Sequence, residues 1–256
     1  MKPIVMGILN CTPDSFYEGS RKQTEREIAE RADEIVAEGG SIIDVGAYST
    51  RPGATAVAVD EEMRRLRRAL TVIRRVHGDA VLSVDTFRPE VARMAVEEFG
   101  VQIINDVTEG CPQMFSEVAR LGAGYVLMSV QPDVDSMMVN FRKEVATLRE
   151  MGVKDVILDP GFGFGKDVIG GNYEVLRELG RVKAEFPDLP LLAGVSRKRM
   201  IWQLLGCSPK DEAALQGTML VNLVALQNGA TMLRVHDVKA AVNTVRIYQQ
   251  LITYNL

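Results

Sequence analysis

Short apolar runs rich in Val, Ile and Leu recur along the chain at 4–9, 41–45, 80–84, 102–107, 125–130, 156–158, 191–195 and 232–238. These are eight segments of strand length. Between them lie amphipathic stretches of helical period. In 61–76, Met63, Leu66, Leu70 and Ile73 fall three or four residues apart and form one apolar face. Arg64, Arg65, Arg67, Arg68, Arg74 and Arg75 belong to the polar side of the same stretch, the usual make-up of a solvated helix face.

The strand runs carry few polar residues, which is the pattern of strands covered on both sides by helices. Eight strand-then-helix units predict a parallel α/β sheet, and the count of eight favours closure into a TIM (β/α)8 barrel. An open doubly wound sheet is the alternative. The longest connection, 197–231, carries its own helical pattern around 211–228, and no low-complexity linker divides the chain. Residues 1–256 are therefore expected to form one domain.

Composition narrows the function classes. Apolar residues make up 46% and charged residues 25%, a mix that builds a large core, and the formal charge is −4. That balance gives no broad attraction to nucleic acid or anionic lipid, so neither is expected as a partner. No apolar run approaches the roughly 18 residues that span a bilayer. Met1, Lys2 and Pro3 lead straight into the first strand run, so no signal peptide is read and a cytoplasmic location is expected. Cys11, Cys111 and Cys207 lack metal-ligand spacing and read as free thiols.

Chemistry-bearing residues gather where the strand runs end. In order they are Asn10, Asp44, Asp85, Asn105, Asp159, the trio Ser196, Arg197 and Lys198, and Arg234 with His236. Barrel enzymes place their chemistry at this carboxyl end. Only the fifth run lacks a comparable group. Arg234 and His236, two apart, would leave the same face of a strand. Alone, such a pair more often marks a salt bridge, here to Asp237 or a barrel carboxylate. The nearby Ser196, Arg197 and Lys198 shift the reading toward a phosphorylated ligand, because loops after strands 7 and 8 form the common phosphate corner of barrels. A helix starting near Arg197 would add its positive end.

Asp85, Asn105 and Asp159 offer the carboxylates and amide that suit a flat heterocycle with several ring donors and acceptors; each taken alone is more safely read as a strand-end cap or a member of a water-filled polar network. The segment 159–166 ends in Gly165-Lys166 but misses the P-loop spacing, and its glycines do not fit the dinucleotide fingerprint. It reads as a tight loop with Lys166 near the barrel mouth. Segments 12–16 and 49–53 combine turn formers with polar groups, and are either simple turns or loops that close over a substrate.

The ordered set of motifs resembles the dihydropteroate synthases over essentially the whole chain. The matching pieces are 6–16, 43–46, 49–53, 83–86, 104–107, 159–166, 194–198 and 234–238. The resemblance implies condensation of 6-hydroxymethyl-7,8-dihydropterin diphosphate with p-aminobenzoate, giving 7,8-dihydropteroate and pyrophosphate in folate biosynthesis. It implies that Asp85, Asn105, Asp159 and Lys198 bind the pterin. Asn10 would contact a magnesium ion (Mg2+) at the diphosphate end, while Arg234 and His236 hold the diphosphate. Thr50, Arg51 and Phe164 would shape the p-aminobenzoate pocket. Asp14, Phe16, Thr50 and Arg51 would act through a closed state, placing Asp14 and Arg51 with Lys198, Arg234 and His236 in the catalytic set. A homodimer is implied as well.

Two departures stand out: Ser129 replaces a histidine usual after Met128 in these relatives, and Arg199 replaces a serine. Cys11 stands where relatives often have valine and is read as a small apolar filler. His77 is read as a solvated residue at a helix end. Two other functions compete, a corrinoid methyltransferase using methyltetrahydrofolate and a pterin-binding paralogue without catalysis. The retained cations at 196–198, Arg234 and His236 favour the synthase.

Overall fold

The computed structural model describes residues 2–11, 21–48 and 57–253. Its strands are β1 (Ile4–Asn10), β2 (Ile42–Gly46), β3 (Leu82–Asp85), β4 (Ile103–Asp106), β5 (Gly124–Met128), β6 (Val156–Asp159), β7 (Leu192–Ala193) and β8 (Met232–Val235). The helices are α1 (Arg21–Ala37), α2 (Val59–Val76), α3 (Pro89–Phe99), α4 (Pro112–Leu121), α5 (Val134–Glu150), α6 (Gly170–Glu185), α7 (Arg199–Trp202), α8 (Glu212–Gln227) and α9 (Val238–Thr253).

The strands run parallel in the order β6-β5-β4-β3-β2-β1-β8-β7. The open edges meet where Leu158 pairs with Leu191, and Leu158 N donates to Pro190 O at 2.9 Å. This contact makes the sheet a nearly closed barrel and rules out the open doubly wound alternative.

Two apolar layers hold it together. Val5, Leu9, Ile43, Val45, Leu82 and Val84 point outward and pack with the buried faces of the helices. On α2 that face includes Leu66, Leu70 and Ile73, as the helical period predicts, and burying each contributes roughly 1.5–3 kcal/mol. Met63 is only partly buried. Met6, Ile42, Val126, Ile157, Leu192 and Met232 fill the barrel interior.

Several boundaries differ from the sequence expectation for one reason. The last inward residue of a strand is polar, so hydropathy stops counting while the backbone ladder continues. Asn10, Asp85 and Asp159 each stand inside their strands. The opposite error occurs at β8. Val238 is β-branched and extends the apolar run, yet it opens α9, and Ala241 N already donates to Asp237 O at 3.1 Å. Strand β5 likewise stops at Met128, leaving Ser129 and Val130 outside it.

Candidate active site at the barrel mouth

Side chains alternate along a strand, so an inward residue is followed two positions on by another. That arithmetic turns the apolar interior into a polar mouth. Ile42 leads to Asp44, Ile103 to Asn105, Ile157 to Asp159, Met232 to Arg234, and Met6 through Ile8 to Asn10. Asp85, Arg234, Lys198, Asn10 and His236 are half-buried, whereas Asp44, Asn105 and Asp159 are buried.

Arg234 is the hub. Its Nε donates to Asp44 Oδ2 at 2.7 Å, and its Nη2 lies 2.6 Å from both Asp44 Oδ2 and Asp85 Oδ2. Asn105 Nδ2 donates to the same Asp44 oxygen at 3.2 Å. The partners of Arg234 are thus barrel carboxylates, the alternative that an isolated Arg-x-His motif suggests; Asp237 pairs elsewhere. Two carboxylates share one guanidinium, which leaves the cluster net negative when both are ionised.

Burial sets the proton affinities. It drives the Asp85 carboxyl from 3.8 up to about 7, against the attraction of Arg234 and with the help of Asp44. Asp159 is also raised by burial, while Lys198 and the Gly161 N–H at 2.7 Å from its Oδ1 work in the other direction. Lys198 is pushed down to about 8 by burial, opposed by Asp159. Burial disfavours the Arg234 cation, but Asp44 and Asp85 more than compensate, and it stays protonated. A carboxyl and an amine both brought toward neutrality in one cleft are characteristic of a working site.

Lys198 reaches the mouth from the loop after β7. Its Nζ donates to Phe162 O and lies 4.8 Å from the centroid of the Phe164 ring. The loop after β6 therefore wraps this lysine.

The expected phosphate corner is built differently from its sequence reading. His236 follows the end of β8 instead of sharing the strand with Arg234. Its main-chain N–H donates to Ser196 Oγ at 3.2 Å, and its Nδ1 lies 3.2 Å from the same hydroxyl. Arg197 is held in a bidentate pair with Asp237 at 2.8 and 2.9 Å and donates to Pro209 O at 2.9 Å. It is a spar between loops, with φ of 51° in the left-handed region that is strained for a side chain of this size. The helix expected near Arg197 is the single turn α7, beginning at Arg199, too short for an appreciable dipole. Arg199 is exposed.

Asp14, Phe16, Thr50 and Arg51 lie outside the described residues. The residues flanking the second of those segments are anchored by a group that sequence reasoning passed over. Arg88 Nη2 donates to Val57 O at 2.8 Å, and the guanidinium carbon sits 5.2 Å from the Tyr48 ring centroid. Glu62, 0% exposed, holds Arg88 at 2.6 Å and accepts from Thr86 Oγ1 at 2.8 Å. In the sequence Asp44 is visible only as a strand-end residue; its pairing with Arg234 follows from β1, whose Met6 is paired with both Ile42 and Arg234.

Cys11 is buried, and burial pushes its thiol up to about 12, so it fills space and is no nucleophile. His77 Nε2 lies 2.7 Å from Asp33 Oδ1 at the end of α2, away from the mouth. A cavity of about 860 Å3 opens at the opposite barrel face, lined by residues including Gln102, Gly124, Lys154, Asp155 and Asp188. The inward polar rows end at the other face, and the chemistry is placed there. Among the described residues no three His, Cys, Asp or Glu side chains converge to hold a metal, and no helix is long and apolar enough to cross a membrane.

Comparison with known proteins agrees with this geometry. The sequence profile of the family described as pterin binding enzyme matches residues 6–236. The Escherichia coli K12 dihydropteroate synthase is 38% identical over 265 residues, covering 96% of this chain and 91% of the relative. The crystal structure of the Clostridium difficile dihydropteroate synthase in the presence of pteroic acid superposes with a TM-score of 0.90 at 33% identity, covering 98% of this chain and 97% of the other. The Xanthomonas albilineans enzyme in complex with 7,8-dihydropteroate gives a TM-score of 0.82 at 35% identity, with 98% and 94% covered. The chain belongs to the pterin binding enzyme family and, within it, to the dihydropteroate synthases.

Proposed function

We propose that the protein condenses 6-hydroxymethyl-7,8-dihydropterin diphosphate with p-aminobenzoate, releasing pyrophosphate and forming 7,8-dihydropteroate for folate biosynthesis in the cytoplasm. The observation that carries this is the inward cluster of Asp85, Asn105, Asp159 and Lys198 around Arg234. It occurs in a chain whose relatives are synthases of that name.

In this reading Asp85 and Asp159 accept hydrogen bonds from the pterin's ring N–H and amino groups, and Asn105 supplies both a donor and an acceptor. Asp44, Asp85 and Asp159 face Arg234 and Lys198, so the floor tolerates positive character on the exocyclic methylene as its bond to the diphosphate lengthens. His236, with Arg234 behind it, stands on the diphosphate side. Lys198 contacts the pterin where it meets p-aminobenzoate, and Phe164 borders the p-aminobenzoate position; the family resemblance assigns Thr50 and Arg51 to the same pocket and Asp14 and Arg51 to the catalytic set. The amine attacks the methylene directly, and no covalent enzyme intermediate is needed.

Magnesium fits this mouth as a companion of the diphosphate. Asn10, at the end of β1, would hold the ion through one neutral amide oxygen, and so sparse a protein donor set suits a cation that arrives with the diphosphate. The chemistry it would supply when bound is neutralisation of charge on the leaving group. A homodimer is part of the proposal, because Leu204, Leu205 and Leu220 are exposed beside a groove of about 470 Å3 between α6 and α8.

The test is pyrophosphate release with each substrate and magnesium omitted in turn. Release that requires both organic substrates and the metal is the expected result. Methyl transfer from methyltetrahydrofolate without such release, or tight pterin binding with no condensation, would overturn the assignment.

A further inference from the structure

The loop after β6 is pressed against the loop after β5 far more closely than side chains allow. A Cβ on Gly161, whose φ is 67°, would lie 2.0 Å from Ser129 O; one on Gly165, at φ 65°, would lie 1.7 Å from Val130 O. Two glycines therefore let one backbone settle onto two carbonyls of another. The group that binds the two loops together is Lys166.

Its Nζ donates to Ser129 O at 3.3 Å, Gly161 O at 3.2 Å and Phe164 O at 3.1 Å. An ammonium has three N–H donors, and here each has a main-chain carbonyl within reach. Burial pushes this amine down to about 8, with Asp159 and Glu109 opposing. Glu109 reaches the same region, its Oε1 accepting from Val130 N at 3.2 Å and Gln131 Nε2 at 2.8 Å. The β5 loop is thus held from two sides, by an acid on its N–H groups and by a lysine on a carbonyl.

The far side of the clasped loop faces the site. Between Gly161 and Phe164 the chain presents Phe162 O to the Lys198 ammonium and the Phe164 ring to the same group. Gly163, at φ 83°, would bring a Cβ within 3.3 Å of Lys198 Cδ. The curvature of four residues consequently decides where Lys198 points. We infer that Lys166 is a positioning residue, whose ammonium ties Ser129, Gly161 and Phe164 into one rigid turn and so fixes the carbonyl and the ring that aim Lys198 at the junction of the two substrates. Ser129, where relatives carry histidine, enters this arrangement through its main-chain oxygen, which any residue supplies.

The inference rests on the substrate roles proposed above for Lys198 and Phe164, and its effects divide by element. Most of the pterin floor stands on strands, and of its members Asp159 and Lys198 reach the clasped loop, through Gly161 N and Phe162 O; the p-aminobenzoate wall hangs from that loop. Lys166→Met is expected to raise KM for p-aminobenzoate about tenfold, while pterin affinity, held also by Asp85 and Asn105 on their strands, falls by the smaller factor of about threefold. Lys166→Cys alkylated with 2-bromoethylamine restores an ammonium at nearly the same reach, and is expected to return KM to within about twofold of similarly treated wild type. Apart from turnover, acylation of Lys198 by a neutral reagent, read by mass spectrometry, is expected to change at least about threefold in Lys166→Met. An unaltered KM together with an unaltered acylation rate would overturn the inference, as would parallel losses of pterin affinity and p-aminobenzoate KM that alkylation fails to reverse. Wild-type protein that released no pyrophosphate would instead remove the proposed reaction, and the acylation rate would still decide whether Lys166 positions Lys198.

Discussion

Replacing Asp85 with Asn is expected to make the ligand-free protein more stable near neutral pH while damaging pterin binding. Asp85 and Asp44 both face Arg234 within 2.6 Å, so one cation serves two carboxylates. The carboxyl is lifted from 3.8 to about 7, with burial the largest cause. A shift of that size corresponds to something on the order of 4 kcal/mol favouring the neutral form. Below 3.8 the group is protonated whether the chain is folded or not, and its contribution is fully present. As pH rises toward about 7 the unfolded chain ionises first, and that stability is progressively lost. Asn does not titrate, keeps a carbonyl oxygen for Arg234, and leaves Asp44 as a balanced partner. Asp85→Asn should therefore gain about 1–3 kcal/mol near pH 8, less than the full shift because an amide matches the neutral carboxyl imperfectly. The gain should vanish near about pH 4. Urea unfolding across that range measures it. Pterin affinity, followed by calorimetry, should fall about 10- to 100-fold for the loss of one charge-assisted hydrogen bond. A variant less stable than wild type near neutrality, or a difference that ignores pH, would refute the assignment of Asp85 as a destabilising carboxylate kept for binding.

Gly165→Ala and Gly100→Ala form a matched pair, since φ is 65° and 61° but only the first Cβ meets anything, Val130 O at 1.7 Å. Gly100→Ala should cost about 1–2 kcal/mol in urea unfolding, whereas Gly165→Ala should cost more and also raise KM for p-aminobenzoate; equal effects would show that the two loops do not touch as described. For Leu220→Asp, which puts a charge on a leucine 67% exposed beside the α6–α8 groove, sedimentation should show a dimer becoming monomer. An unchanged sedimentation coefficient would place the dimer contact elsewhere.

The barrel was legible because strands and helices impose different periods on the same alphabet of apolar residues. The separation of α2 from its flanking strands needed only the three- and four-residue steps of Leu66, Leu70 and Ile73. What hydropathy missed were strand ends carrying function, since Asp85 and Asp159 look like loop residues although their backbones remain in the ladder. The structural role of Arg197 is hidden for another reason. Its basic character suggested an anion, and nothing in the local sequence announces a partner 40 residues away, Asp237. Lys166 was placed near the mouth, but its three acceptors are main-chain oxygens, which have no sequence signature at all.

A deeper asymmetry explains why the site can exist in this state. The interior below the mouth is filled by Met6, Ile42, Val126, Ile157, Leu192 and Met232, and the outer layer is a second, much larger apolar core. Those layers carry the stability. The polar rows above them are consequently free to hold groups in unfavourable states, an acid raised to about 7 beside an amine lowered to about 8. Both shifts mean that burial weakens the ionised forms relative to water: near neutral pH Asp85 is poised between its two forms, and the Lys198 amine keeps its proton by a reduced margin. A pterin that donates hydrogen bonds to Asp85, and an anionic partner set against Lys198, would each favour the ionised form that burial opposes. Binding energy then goes into completing a charge arrangement already built by the strands, and the ligand gains affinity from groups whose orientation costs it nothing further.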